Sequence, residues 1–249
     1  MEWLESDGLR WLQADLNGAT AAFTTRVGGV SAPPFDALNL GVLTDDDNAA
    51  VIANRRRLAA ALGLAAERIP IGLQVHGAAL ATHTEPQRPS PFAAPGSEIP
   101  EVDGHVVAVP GLAPLVFVAD CLPVALSGPG GVAMLHCGWR GLAAGIVAAG
   151  AAAIGATDAA IGPGIGPCCY EVGAEVLEAF AGLGEGIAAG RMLDLPEVAW
   201  RLLRGAGVER VESAGLCSSC EPGLFFSHRR DRGRTGRQAG LVWAAAAEA

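Results

Sequence analysis

The sequence predicts a single α/β (α+β) domain with mixed β-sheets flanked by helices, and three observations predict it. Short apolar runs bounded by Gly and Pro crowd the middle of the chain. Segments with helical punctuation alternate with them on either side. Composition is 51% hydrophobic and 17% charged over 249 residues, enough apolar material for a substantial core. No internal repeat or low-complexity linker divides the chain, so residues 1–249 read as one domain.

Ala21 to Thr25 reads as a short strand, followed by the turn-rich VGGVSAPPF. Asp45, Asp46 and Asp47 offer an acidic start for a helix through Leu62, with Gly63 as its stop. Val51, Leu58 and Leu62 share one face of that helix, which leaves Arg55, Arg56 and Arg57 turned largely to solvent. The Pro-rich piece from Glu85 to Pro100 has the composition of a surface loop. HVVAV at 105–109, LVFVAD at 115–120 and GVAMLH at 131–136 look like interior strands covered on both faces. A helix over Gly141–Ala153 follows, then a strand at DAAIG and helices at EVGAEVLEAF and LPEVAWRLLRGAG. QAGLVWA reads as the final strand.

The formal net charge of −9 argues against a nucleic-acid or anionic-membrane partner, since there is no excess of positive charge to gather phosphates. All basic residues are arginine. The opening MEWLESDGLRW lacks the basic end and apolar run of an export signal. As a helix, the apolar stretch from Leu142 to Ala156 would span roughly 22 Å, short of a bilayer core, so it reads as a buried helix. A cytoplasmic protein with six reduced cysteines is the expectation.

Three of these segments carry chemistry. LQVHG at 73–77, VADCLPV at 118–124 and MLHCGWRG at 134–141 each place a His or Cys at or just beyond the end of an apolar run. Strand ends can converge, and two imidazoles with a thiolate form a good zinc donor set that leaves a fourth position open. His76, Cys121 and His136 are the candidate ligands. Copper is the alternative ion, with Met134 as a weak axial donor. Cys121 with either histidine also has the makings of a nucleophile–base dyad for amide hydrolysis, for instance of cell-wall precursors. Asp120 and Gln74 interrupt apolar runs beside these residues and are candidates for orienting them.

Taken together, FTTRVGGVS, FDALNLG, NRRRLAAALGL, LQVHG, VADCLPV, HCGWRG, IGPGIGPCCYEVG and FFSHRRDRGRTGRQAGLVW closely resemble the laccase-domain family over nearly the whole chain, from about Ala21 to Trp243. Members of that family are described both as polyphenol oxidoreductases and as purine nucleoside phosphorylases with adenosine deaminase activity. The resemblance implies a zinc on His76, Cys121 and His136, and a fold similar to the cysteine hydrolase fold. It implies purine nucleosides and phosphate as substrates, with phosphorolysis of adenosine, inosine, guanosine and methylthioadenosine and deamination of adenosine. Two departures stand out. Cys137 replaces the usual Ala after the last ligand histidine, which puts a second thiol close to the site, and a Pro-rich insert precedes Asp103-Gly104.

Arg140 follows His136 at the expected start of a helix, and a planar guanidinium there suits phosphate beside the metal. Asp120 and Asp103 are candidates for proton transfer, so the catalytic set reads Arg140, Asp120 and Cys121. The Gly- and Pro-rich loop 161–173 would wrap base or ribose through Tyr170, with Cys168 and Cys169 nearby; Arg26 and Gln74 complete the substrate-binding candidates. Cys217 and Cys220 form a CxxC that lacks a second ligand pair in the sequence and reads as packing. The arginines of FFSHRRD bind an anion or cover the surface, and His83 and His105 are not expected to be ligands. Five histidines are too few for a full multicopper oxidase, which leaves a single copper as the oxidase alternative. Oligomeric state is not legible.

Overall fold

The computed structural model describes residues 1–94, 96 and 99–244. In chain order it contains β1 (Glu2–Ser6), β2 (Leu9–Leu16), β3 (Ala19–Thr24), α1 (Asn48–Ala61), β4 (Leu80–His83), β5 (Gly104–Val107), β6 (Leu115–Val118), β7 (Leu122–Gly128) and β8 (Gly131–Cys137). Then follow α2 (Trp139–Ala143), α3 (Ile146–Ile154), β9 (Asp158–Ile161), α4 (Ala174–Ala179), β10 (Ala188–Ala189), β11 (Met192–Leu193), α5 (Leu195–Gly205), β12 (Arg210–Ser213) and β13 (Gln238–Ala244). Part of the expected Pro-rich loop (Pro95, Ser97 and Glu98) lies outside the described residues.

Two large sheets stack. One is five-stranded and antiparallel, in the order β1-β2-β3-β13-β6. The other is six-stranded and mixed, in the order β12-β9-β7-β8-β5-β4, with parallel pairs at its two edges. Alternation along the strands explains the layering. In β8, Val132 and Met134 face the first sheet, where they join Phe23, Val116 and Val118. Ala133, Leu135 and Cys137 face the opposite way and pack with Leu142, Ile146, Val147 and Leu203 from the helices. The outer face of the first sheet is covered by Leu58 of α1 with Ile69, Ile71 and Phe92. The result is a helix–sheet–sheet–helix stack, and the predicted strands covered on both faces are a consequence of it.

Several expectations need correction. The helix expected over Gly141–Ala153 is broken into α2 and α3 at Gly145, whose φ of +87° a side chain rarely adopts. Residues 73–77 are not a strand end; only Leu73 makes an isolated bridge, to Glu101. Cys137 stays close to the site, as expected, but points into the helix-side core on the face opposite His136 and does not line the cleft. Arg55 is buried, not solvent-facing: it donates to the carbonyls of Leu40, Pro91 and Phe92 at 2.8–3.2 Å. Its guanidinium also lies 5.1 Å from the Phe92 ring and 4.9 Å from that of Phe117. Among the described residues, no helix is long and apolar enough to cross a membrane.

Candidate metal centre

The site forms where β8 ends, where β6 turns into β7, and where the irregular segment after Leu73 crosses them. His136 is the penultimate residue of β8 and is buried. Cys121 sits between β6 and β7 and is half-buried. His76 is exposed and holds a left-handed φ of +63°, and Asp120 beside Cys121 has φ +93°. Such backbone costs about 1–3 kcal/mol per non-glycine residue and persists only where the surroundings over-determine it. Glycine at position 138 is required by the crowding here: a Cβ would stand 2.9 Å from the Cys121 sulfur and 3.4 Å from the His76 ring.

One ligand atom from each of His76, Cys121 and His136 lies within 4.8 Å of the other two. The two imidazole rings meet edge to face, with centroids 4.9 Å apart. Two imidazoles and one thiolate with an open side toward solvent fit a single zinc or copper ion, and they fit a hard oxygen-loving cation poorly.

Asp103 organises this cluster. Its buried carboxylate accepts the backbone N–H groups of Val75, His76 and Gly77 at 2.7–3.1 Å, which fixes the loop carrying His76. The same carboxylate receives the Nδ1–H of His136 at 2.7 Å, which turns Nε2 toward Cys121. Burial disfavours its charge, yet the His136 hydrogen bond and the backbone donors outweigh burial and hold the carboxyl below its ordinary range. The orienting work leaves Asp103 no free face for the proton transfer expected of it. Asp103→Asn should therefore weaken metal binding about 10–100-fold, measurable by competition with a calibrated chelator. Unchanged affinity would contradict the orienting role.

Burial also opposes charge on Cys121 and His136, and their mutual attraction overcomes it, placing the thiol at about 6 and the imidazolium at about 9. Each shift favours the charged form, thiolate on Cys121 and imidazolium on His136. In stripped protein, alkylation of Cys121 should rise with pH around a midpoint near 6, not near the ordinary value of 9. Peptide mapping after short iodoacetamide pulses reads this directly.

The cluster opens into a cleft of about 710 Å³. Arg55, Arg140, Arg229 and Arg237 all line it, as does Tyr170. The Arg140 guanidinium stacks 4.5 Å over Trp139, and that of Arg229 lies 5.2 Å from the Tyr170 ring. Burial and the negative charge of Cys121 push the Tyr170 hydroxyl up to about 12, so it stays protonated. Arg140 itself is exposed, on a helix of only five residues, so its own charge and not a helix terminus is what it offers an anion.

The other candidates divide. Gln74 lines the cleft, but its amide is spent on the backbone of Phe117, donating to O and accepting from N at 2.8 Å each. Asp120 also lines it, with its carboxylate accepting from Ser218 Oγ at 2.7 Å and from the Arg229 N–H at 2.6 Å. Arg26 is not part of the cleft lining; it is tied to Asp36 and the carbonyl of Pro222 and lies over the Phe226 ring. Arg55 and Arg237 were not anticipated as lining residues, and no local pattern marks them. His83 and His105 pair with each other at 2.9 Å, outside the cluster.

A doubly layered α+β domain with a His–Cys–His cluster at the base of an arginine-lined cleft defines a candidate metalloenzyme. The chain belongs to the family of multi-copper polyphenol oxidoreductase laccases, whose pattern it matches over residues 20–245. It is 38% identical to the purine nucleoside phosphorylase YlmD of Geobacillus stearothermophilus over 248 residues, covering 90% of each chain. It is 41% identical to the purine nucleoside phosphorylase PA4543 of Pseudomonas aeruginosa over 239 residues, covering 90% of this chain and 92% of the other. The crystal structure of the Bacillus licheniformis hypothetical protein YfiH superposes with a TM-score of 0.88 at 32% identity, covering 98% of this chain and 99% of that one.

Proposed function

We propose that this chain is a zinc-dependent purine nucleoside phosphorylase that also deaminates adenosine, with His76, Cys121 and His136 as the metal ligands. The observation that carries this reading is the joining of that cluster to four arginines and Tyr170 in one cleft. Zinc held there supplies Lewis acidity and an activated water. Arg140 and Arg229 hold phosphate through charge-assisted hydrogen bonds, oriented for attack of a phosphate oxygen on the ribose anomeric carbon as the bond to the purine nitrogen breaks. Tyr170 supplies an apolar face and a neutral hydroxyl for base or ribose. Asp120, pinned by Ser218 and Arg229, keeps Arg229 at the cleft and is the carboxylate nearest Cys121 in sequence for moving a proton. Adenosine, inosine, guanosine and methylthioadenosine are the proposed phosphorolysis substrates, and the chain acts in the cytoplasm.

The decisive assay incubates the zinc-loaded protein with adenosine and phosphate. Adenine with ribose 1-phosphate reports phosphorolysis, and inosine reports deamination. Absence of all three, with an amide substrate cleaved by the same preparation, sinks the proposal.

One observation favours a second reading. Cys121, His136 and Asp103 lie in the order of a nucleophile, its base and the group that orients the base, with the thiol shifted toward thiolate. The same atoms cannot hold zinc and act as a free nucleophile together, so activity lost to chelators selects the metalloenzyme. A single copper would instead give an intensely coloured thiolate complex.

A further inference from the structure

The sequence leaves the CxxC of Cys217 and Cys220 without partners, because the nearest other cysteines lie some fifty positions earlier in the chain. The fold supplies them. The loop after β9 and the segment after β12 run side by side, joined by a parallel bridge between Gly164 and Cys217 and by the Ser218 N–H bond to the Gly164 carbonyl at 2.8 Å. This brings the sulfurs of Cys168, Cys169, Cys217 and Cys220 to within 4.8 Å of one another. Cys220 lies 3.3 Å from Cys168 and 3.4 Å from Cys169, sulfur to sulfur.

We infer that these four thiolates form a second metal site, separate from the cleft, that binds one zinc ion tetrahedrally and ties the loop 166–170 to the segment 217–220. Packing does not explain the arrangement. Cys168 and Cys220 are exposed and the other two are half-buried, so the sulfurs gather at the surface and not in a core. A tetrahedral zinc with Zn–S bonds of about 2.3 Å sets its sulfurs about 3.8 Å apart, within the span seen here. That span suits one ion and is too tight for the spread thiolates of a multi-iron cluster.

The backbone offers a donor to one of these sulfurs as well. The Gly166 N–H points at the Cys217 sulfur at 3.3 Å. Such N–H to sulfur bonds spread the charge of a bound thiolate. Arg230 braces the CxxC from the other side by donating to the Ser218 carbonyl at 2.9 Å. Because Tyr170 directly follows the cysteine pair and Ser218 bonds Asp120, this site would also fix two groups that border the first centre.

The test uses the whole protein, purified reduced and without added metal. Cys121→Ala removes the first centre and should leave about one zinc per chain. Loaded with cobalt in place of zinc, that variant should show the intense sulfur-to-cobalt charge transfer of a four-thiolate tetrahedral site. Cys217→Ser with Cys220→Ser in the Cys121→Ala background should abolish both signals. The inference is overturned if the Cys121→Ala protein holds neither zinc nor the cobalt spectrum. It is equally overturned if unreduced, denatured protein shows these four cysteines paired as disulfides. Should the triple variant fail to fold, the cobalt spectrum of Cys121→Ala alone decides.

Discussion

Replacing Cys121 by Ala is expected to lower kcat/KM for phosphorolysis about 1000-fold or more and to lower the metal content by one ion per chain. The size follows from what a metal contributes to a charged transition state, several kcal/mol, of which about 4 kcal/mol already corresponds to a factor of about 1000. Two histidines alone are a poor substitute for the three-point set, and the thiolate is the donor that favours zinc over the hard cations. The change should not unfold the chain, because Cys121 is half-buried, sits in a turn between β6 and β7, and only borders the core between the two sheets. Metal analysis and phosphorolysis rates on the same preparation make the check. Full activity with one ion fewer would remove the metal from the mechanism; unchanged metal content would remove Cys121 from the ligand set. Because an alanine also abolishes a thiol nucleophile, metal content is the measurement that separates the two readings of this residue.

Arg55→Leu should destabilise the fold by about 3–5 kcal/mol, an effect few single changes reach. Arg55 is 1% exposed, and its guanidinium serves three carbonyls, those of Leu40, Pro91 and Phe92. Burial pulls its pKa down to about 10, so it remains a cation at neutral pH. Leucine would leave three acceptors buried without donors, each costing about 1–3 kcal/mol, partly offset because a buried charge is also removed. For a chain of this size the thermal midpoint should fall on the order of 10 °C. Arg55→Lys should rescue little, since one ammonium cannot reproduce a fork that reaches both segments. A melting curve within a few degrees of the parent would show that the carbonyls find other partners.

Arg55 also shows where sequence reading stops. Its neighbours Arg56 and Arg57 are both exposed, as expected of an outer face, but Arg55 stands four residues after Val51 and three before Leu58, so helical spacing alone already puts it on the buried face with them. Nothing local announces that the loops at 40 and 91–92 arrive with unsatisfied carbonyls. The strands read better. β3, β5, β6, β8, β9 and β13 were legible because apolar runs between Gly and Pro have few other fates. β1 and β2 were not, since their mixed burial and charged residues conceal the alternation at a sheet edge.

The sequence by itself picked out His76, Cys121 and His136 as candidate ligands, and it carries the apolar run that makes β8 an interior strand. Only the tertiary structure decided which groups attend them. Asp103 became the common acceptor for His136 and the 75–77 backbone, and Cys168 and Cys169 met a CxxC about fifty residues away. The physical reason is range: periodicity and turn chemistry act over a few residues, whereas hydrogen-bond satisfaction and metal coordination are settled by whichever distant segments the two stacked sheets bring together.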